Sequence, residues 1–527
     1  MSLQRTIKRR LAEAIKNKDF AGLTDVQYLI NKVLDKPNNL VLLGDAYKYS
    51  HHKFYEDNTT GFYSYLESRG GVFDTTVFYG LQIFLKEFIE GVAILKEEVD
   101  EAEAVLNSPE GVFGRNDVFD RSKFDYIVEK HGGKLPIRIM AVPEGTVVTT
   151  KNILMSIEST DPECTWLVNF LETVMLQVWF PITVATLSRE VKKIILKAYK
   201  DTSNLPYDVV KIVTEYALND FGLRGVSSVQ SARNGGSAHA INFLGSDNLA
   251  AQSLIQDLYN TKGVFIKSIP ATEHSIMTLR GEAGELEMFE RVVDKYPTGT
   301  IACVSDSYNI LRAVNQYWGK DLKAKILARE GTLVIRPDSG HVIETLKAIF
   351  KSLFENFGYT VNAKGYKVLP SQVRVIQGDG VNINSIQAVC DMLREEKISI
   401  ENMCFGMGGK LLQADINRDT LNFAFKAAFV IVNGVERDVA KSPTEIDANG
   451  EMQKGFKKSK SGRMKLVKTE SGYITLTSKD AGFQEAIDEL IPVFENGIIL
   501  KEYTYEEIRE KVIISEEEVE NYTYSKY

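Results

Sequence analysis

Between residues 220 and 409, seven short apolar runs each stop in Gly, Asp, Ser or His: "DFGLRG", "AINFLGSD", "FIKSIPATEHS", "IACVSDSYN", "LVIRPDSG", "VRVIQGDG" and "NMCFGMGG". Helical patterns such as "NILRAVNQYW" and "HVIETLKAIFKSLFENF" come between them. Strands buried on both faces read as continuous apolar runs, and parallel neighbours need a crossover helix. Seven such units in about 190 residues suit a closed barrel better than an open sheet. The spacing therefore predicts an α/β chain with an irregular parallel α/β barrel over residues 165–419. Its polar residues gather at one rim, the carboxyl end of the strands, where barrels bind ligands.

The rest of the 527 residues is less regular. Residues 38–164 alternate helical patterns with β-prone runs such as "TTVFYG" and "PIRIMAVPEGTVV", and β-prone segments return after residue 420, including the hairpin "GRMKLVKTESGYITLTS". A smaller β-rich α+β domain built from both ends of the chain, 38–164 with 420–527, is expected. Pro181 is expected to break the long helical stretch 165–200. Residues 1–37 are read as an N-terminal helical extension, and the acidic segment 504–520 as a solvated helical surface.

Composition narrows the function. With 63 Lys and Arg against 71 Asp and Glu, the net charge of -8 argues against a general nucleic-acid binder, so an anionic ligand needs a local site. At 44% hydrophobic residues and a mean hydropathy of -0.15, with no apolar run long enough to span a bilayer, membrane insertion is not expected. The cysteines at 164, 303, 390 and 404 lack any CxxC spacing, which fits reduced thiols in the cytoplasm.

The rim residues suggest a chemistry. The glycines of "QGDG" (Gln377 to Gly380) and "GMGG" (Gly406 to Gly409) allow close backbone approach, and a helix N-terminus after each would suit a phosphate; glycine-rich tight turns are the plain alternative. Asp306, Arg336 and Asp338 follow apolar strands, where two carboxylates could hold magnesium or a sugar diol and the arginine a second anion; strand-end salt bridges are the alternative. No Walker loop, HExxH, GxSxG or GxGxxG pattern competes. Together these residues describe a ligand such as phosphoribosyl pyrophosphate.

At this level the chain resembles the nicotinamide phosphoribosyltransferases, dimeric type II phosphoribosyltransferases. "LLGDAYKYSHHKFY", "YSYLESRGG", "LPIRIMAVPEGTVV", "TDPECTWLVNFLETVMLQVWFPITVAT", "DFGLRGVSS", "PATEHSI", "VSDSYNI", "IRPDSG", "RVIQGDGVNI" and "GMGGKLLQ" carry the resemblance over residues 40–515. It implies that Phe221 and Tyr47 sandwich a pyridine ring, Tyr47 from the partner subunit, that Arg224 and Asp247 bond the carboxamide, and that Asp45 also belongs to the substrate site. It places Asp306 and Asp338 at the ribose and magnesium pyrophosphate with Arg336 beside them, and Gly378, Asp379, Gly408 and Gly409 at the phosphates. Arg69, Arg418, Lys426 and Lys457 resemble the basic residues of the nucleotide region. Ala424, Lys410 and the longer "QADINRD" loop depart from the pattern, and the lysine-rich loop around Lys441, Lys457 and Lys458 aligns only loosely.

The chain has six histidines, and His274 stands in "PATEHSI" beside Glu273. The resemblance makes it the residue phosphorylated by ATP in a homodimeric enzyme, with Glu273 expected to orient the ring. The rival readings are a nicotinate phosphoribosyltransferase, which would need a cation where Asp247 stands, and a catalytically silent, ligand-binding relative.

Overall fold

The computed structural model describes residues 39–446, 450–454, 459–470 and 472–523, so the helical extension expected over residues 1–37 lies outside it. The chain divides into two compact units, Met1–Trp179 with Arg418–Tyr503 and Phe180–Asn417 with Thr504–Tyr527.

In the second unit the strands Leu218–Asp220, Met403–Met407, Val373–Gln377, Leu333–Arg336 and Ile301–Val304 lie side by side in that order, all parallel. Single parallel bridges close the remaining gap: Asp220 to Ser246, Gly245 to Lys267, and Ala271 to Ala302. Seven parallel segments thus form a ring in chain order, as the apolar runs predict. Helices cover it outside. Val342–Phe357 buries Leu346, Ile349, Phe350, Leu353 and Phe357, a helical stripe, and Ile383–Glu395 starts at Asn382, whose side chain accepts from Ser385 N.

One histidine fastens this ring. His239, on the helix Val229–Ala240, is fully buried; its Nδ1 stands 2.9 Å from the Ser188 hydroxyl and its Nε2 3.3 Å from Gly245 O, on the segment that closes the barrel. A neutral ring accepting from Ser188 and donating to Gly245 satisfies both. Burial, with lesser effects of Lys192 and Arg509, pushes its pKa down to about 4. The unfolded chain protonates this ring at its ordinary value of 6.5 and the folded one does not, so its stabilising effect is present above 6.5 and lost as pH falls towards 4. That loss is worth about 3 kcal/mol. Urea unfolding at several pH values should show it as an acid-side slope that is shallower in His239→Gln; equal slopes would show that His239 does not set it.

The C-terminal segment departs from expectation. Residues 504–520 belong to the barrel unit, and they are a clasp rather than a solvated surface. Tyr505, Ile508, Val512, Ile514 and Val519 are buried, and Tyr505 Oη donates to Ser237 O at 2.5 Å. Arg509 reaches Ala240 O and Glu215, and Arg189 forms a two-pronged pair with Glu518 at 2.6 and 2.8 Å. The glutamates dominate composition there, while Tyr505, Ile508 and Val512 recur at helical spacing beneath them.

The first unit is built from two separate stretches of chain, and its bounds differ from those read in the sequence: residues 165–179 fall in it rather than with the barrel, and 504–527 fall with the barrel rather than in it. Its seven-stranded antiparallel sheet runs Val435–Asp438, Phe423–Val432, Thr59–Ser68, Ile153–Ser159, Ile137–Ala141, Ile491–Glu495, Ile498–Ile499. The expected hairpin pairs Met464–Thr469 with Gly472–Thr477. The helix break falls at Leu176–Val178, a 3-10 turn, and Pro181 sits in the first turn of Trp179–Thr202, where its missing N-H goes unnoticed.

Candidate active site

Side chains two apart on a strand share a face. On Leu333–Arg336, Val334 joins Ala302 and Ile376 in an apolar cluster against which Phe221 and Cys404 pack, and Arg336 stands one step nearer the strand's end. The Arg336 guanidinium lies 5.6 Å from the centre of the Phe221 ring and bonds Asp338 Oδ1 through Nη2 (2.7 Å) and Nε (3.2 Å). One glycine makes this stack possible and a second eases it. A Cβ on Gly406 would overlap the Phe221 ring, and one on Gly378 would stand 3.2 Å from Arg336 Nε. Phe221 is further fixed through its N-H to Met407 O (3.0 Å).

Asp306 is the hub of the rim. Its side chain is 3% exposed; Oδ1 lies 3.0 Å from His274 Nε2, while Oδ2 accepts from Asp338 N (2.8 Å) and Ser339 Oγ (2.6 Å). His274 opens the short helix His274–Met277 with 44% of its side chain exposed, and its Nδ1 is 3.8 Å from Asp338 Oδ2. Glu273 does not orient the imidazole. It accepts from the Ser275 hydroxyl, because adjacent residues at a helix start point to different sides. The group that holds His274 is Asp306.

The other rim residues lie in the same unit. Arg224 is exposed on the turn Leu223–Gly225, and Asp247 is exposed and accepts from Ser268 Oγ. Asp379 is exposed, with its carbonyl taking the Gln377 amide at 2.7 Å. Gly408 precedes the four-residue helix Gly409–Leu412, and a Cβ on Gly225 would stand 3.2 Å from Gly409. Lys410 turns to Asp415 at 2.7 Å.

Asp45, Tyr47, Arg69, Arg418 and Lys426 belong to the first unit, and Lys457 lies outside the described residues. Asp45 accepts from Thr173 Oγ1 (2.9 Å), and Tyr47 is 60% exposed with its ring edge-on to His51. Arg69 Nε bonds Glu67 (2.9 Å), while its Nη2 is buried with no partner among the described residues. Burial pushes the Lys426 pKa down against the pull of Glu172, and the nearby cations Arg69, Arg418 and Lys441 add to the fall. Arg418 is exposed beside Asp419. The cations are thus gathered with the acids Glu67, Glu172 and Asp419 among them.

Sequence reasoning passed over Ser339, Asp220 and Asn248. Ser339 sits inside "IRPDSG" and Asp220 opens "DFGLRG", so strand-end position was their only signal. Asp220 is fully buried and accepts from Gly222 N (2.7 Å) and Asn248 Nδ2 (3.0 Å); burial, partly offset by these bonds, pushes its pKa up to about 6.

Residues 216–473 match the nicotinate phosphoribosyltransferase (NAPRTase) family, and residues 39–139 the N-terminal domain of nicotinamide phosphoribosyltransferase. The chain is 42% identical over 480 residues to a Xanthomonas campestris protein named nicotinamide phosphoribosyltransferase, covering 90% of this chain and 97% of the relative. It is 31% identical over 507 residues to an Acinetobacter baylyi protein of the same name, covering 89% and 96%. Among solved structures, human nicotinic acid phosphoribosyltransferase aligns over 89% of this chain and 93% of its own with a TM-score of 0.52 at 15% identity. Nicotinate-nucleotide pyrophosphorylase from Pyrococcus furiosus aligns over 90% and 94% with a TM-score of 0.53 at 14% identity. At such identities these two structures speak for the fold alone.

Proposed function

The chain belongs to the nicotinamide phosphoribosyltransferase family, and from that premise we propose how its residues move a 5-phosphoribosyl group from phosphoribosyl pyrophosphate to nicotinamide, giving nicotinamide mononucleotide and pyrophosphate in NAD salvage. The observation that carries the reading is the Asp306 hub, which joins His274, Asp338 and Ser339 beside the Arg336–Phe221 stack. Phe221 offers one face for the pyridine ring. Arg224 bonds the carboxamide oxygen and Asp247 accepts from its NH2 group. Arg336 and the backbone of Gly378, Asp379, Gly408 and Gly409 meet the phosphates. The pyridine nitrogen attacks C1 of the ribose as the C1–O bond to pyrophosphate breaks. That nitrogen carries no proton, so no general base is required, and rate comes from positioning and from charge stabilisation on the leaving group.

Magnesium fits this donor set. Asp306 and Asp338 are hard oxygen ligands, and a magnesium ion asks for one or two carboxylates with the rest supplied by water and substrate phosphates. Bound there, the ion would neutralise charge on the departing pyrophosphate.

His274 is the group that ATP phosphorylates. With Nε2-H donated to Asp306, Nδ1 is the nucleophilic nitrogen; it attacks the γ-phosphorus, the bond to the bridging oxygen breaks, and ADP leaves. His274→Ala is expected to retain transfer at about a tenth of the wild-type rate or more while losing its stimulation by ATP. ATP-dependent turnover in this variant would defeat the assignment.

The pocket should take nicotinamide far better than nicotinate, because a carboxylate facing Asp247 sets two anions in contact. Asp247→Asn is expected to narrow the ratio of kcat/KM by about tenfold or more. An unchanged ratio would remove Asp247 from the pocket. Incubation with phosphoribosyl pyrophosphate, magnesium and either pyridine, with and without ATP, followed by mass spectrometry, tests the whole reading; only a nicotinate product would favour the rival enzyme.

Two copies of the chain form the working enzyme in this proposal, with Tyr47 of one covering the pyridine ring held by Phe221 of the other. The exposed Tyr47 ring and its place in the first unit support this. Among the described residues no single helix is long and apolar enough to cross a membrane. All four cysteines are free thiols, and it is this that supports a reducing, cytoplasmic setting.

A further inference from the structure

We infer that Asp220 is a positioning residue for the base pocket: its carboxylate ties the turn that carries Phe221 and Arg224 to the loop that carries Asp247. The inference rests on the reading of those three residues given above. Every hydrogen-bonding group of Asp220 is spent on this joint. Oδ1 accepts from Gly222 N (2.7 Å), Oδ2 from Asn248 Nδ2 (3.0 Å), and its carbonyl from Asp247 N (3.0 Å), while its own N-H goes to Gly245 O (3.1 Å).

Asn248 is oriented to match. Its second amide hydrogen goes to Ala232 O (2.9 Å) and its Oδ1 is buried with no partner, so the amide faces two acceptors and could not be reversed without setting oxygen against oxygen. Gly236, on the same helix as Ala232, leaves the room; a Cβ there would overlap Asn248 Nδ2. A fully buried carboxylate beside a second acid, Asp247, is a costly filler for a core position. What it supplies is two acceptors on one rigid group, aimed at the two sides of one pocket.

The test is steady-state kinetics of Asp220→Asn and Gly236→Ala beside the wild type, with a melting curve for each. An amide at position 220 sets its NH2 group against either the Asn248 donor or the Gly222 N-H, and the alanine crowds Asn248 and Ala251 without adding an atom to the pocket. Both are expected to raise KM for nicotinamide about tenfold or more while moving KM for phosphoribosyl pyrophosphate by less than about threefold. Should Asp220→Asn not fold, Asn248→Ala carries the same test, since it removes one donor and leaves the carboxylate. A KM for nicotinamide that stays put, or two KM values that rise together with a lowered Tm, would make Asp220 structural and overturn the inference. Asp247→Asn assayed alongside separates the two ideas. If it leaves the nicotinamide-to-nicotinate ratio unchanged, the base-pocket reading itself has failed. If it narrows the ratio while Asp220→Asn moves nothing, only the inference falls.

Discussion

Asp306→Ala is expected to lower kcat/KM by about 10³-fold or more, the largest loss for any single residue at the rim. Three donors converge on its carboxylate, from His274, Asp338 N and Ser339, and the side chain is 3% exposed. The part-buried Asp338 N-H, left without its acceptor, costs about 1–3 kcal/mol, while the half-exposed His274 and the exposed Ser339 lose their fixed orientation and turn to water. The "IRPDSG" loop then loses the bond that fixes Asp338, and Asp338 in turn fixes the Arg336 fork. One truncation therefore disturbs the imidazole, the second carboxylate and the guanidinium together. Asp306→Asn keeps one acceptor oxygen and should fall in between, with Oδ1 or Oδ2 replaced by a donor that opposes whichever group it meets. Initial rates over both substrates, with melting curves to separate unfolding from chemistry, decide it. Activity of Asp306→Ala within about tenfold of wild type would mean that the hub is a structural strand-end network.

The sequence made the barrel legible because a parallel strand buried on both faces leaves an unbroken apolar run. That signal survives even where pairing is thin: "AINFLGSD" and "FIKSIPATEHS" join the ring through single bridges, yet both were readable as strand segments. Rim position was legible for the same reason, since the polar residue that ends each run marks the strand's carboxyl end. Partnership was not. His274 and Asp306 are 32 residues apart in the chain, and no periodicity links them; only the closed ring brings them to 3.0 Å. Nearness in sequence misled instead, suggesting Glu273. The glycines show a second limit. Gly378 and Gly406 stand in the two loops read as phosphate sites, and the structure adds a local role that the sequence did not signal: their missing Cβ leaves room for Arg336 and Phe221. A missing Cβ says that something comes close, and the sequence cannot say what.

Mixing two inactive variants should restore activity. Tyr47→Ala removes one face of the ring sandwich, for an expected loss of about 10²-fold, and Asp306→Ala disables the rim as argued above. Phe221 and Asp306 lie in the second unit and Tyr47 in the first, so each lesion strikes a different half of the proposed site. In a dimer whose sites are shared, one chain's first unit serves the other's rim. When the two variants are unfolded together in equal amounts and refolded, about half of the dimers should be mixed. In a mixed dimer one site carries both lesions and the other carries neither, so the mixture should recover about a quarter of wild-type activity. If each site were confined to one chain, every site would carry one lesion and nothing would return. Differently tagged chains, purified in sequence, isolate the mixed dimers and should show about half of wild-type activity. Mixed dimers of confirmed composition with no activity above the parents would place Tyr47 in the same chain as the rim it serves, or outside the site.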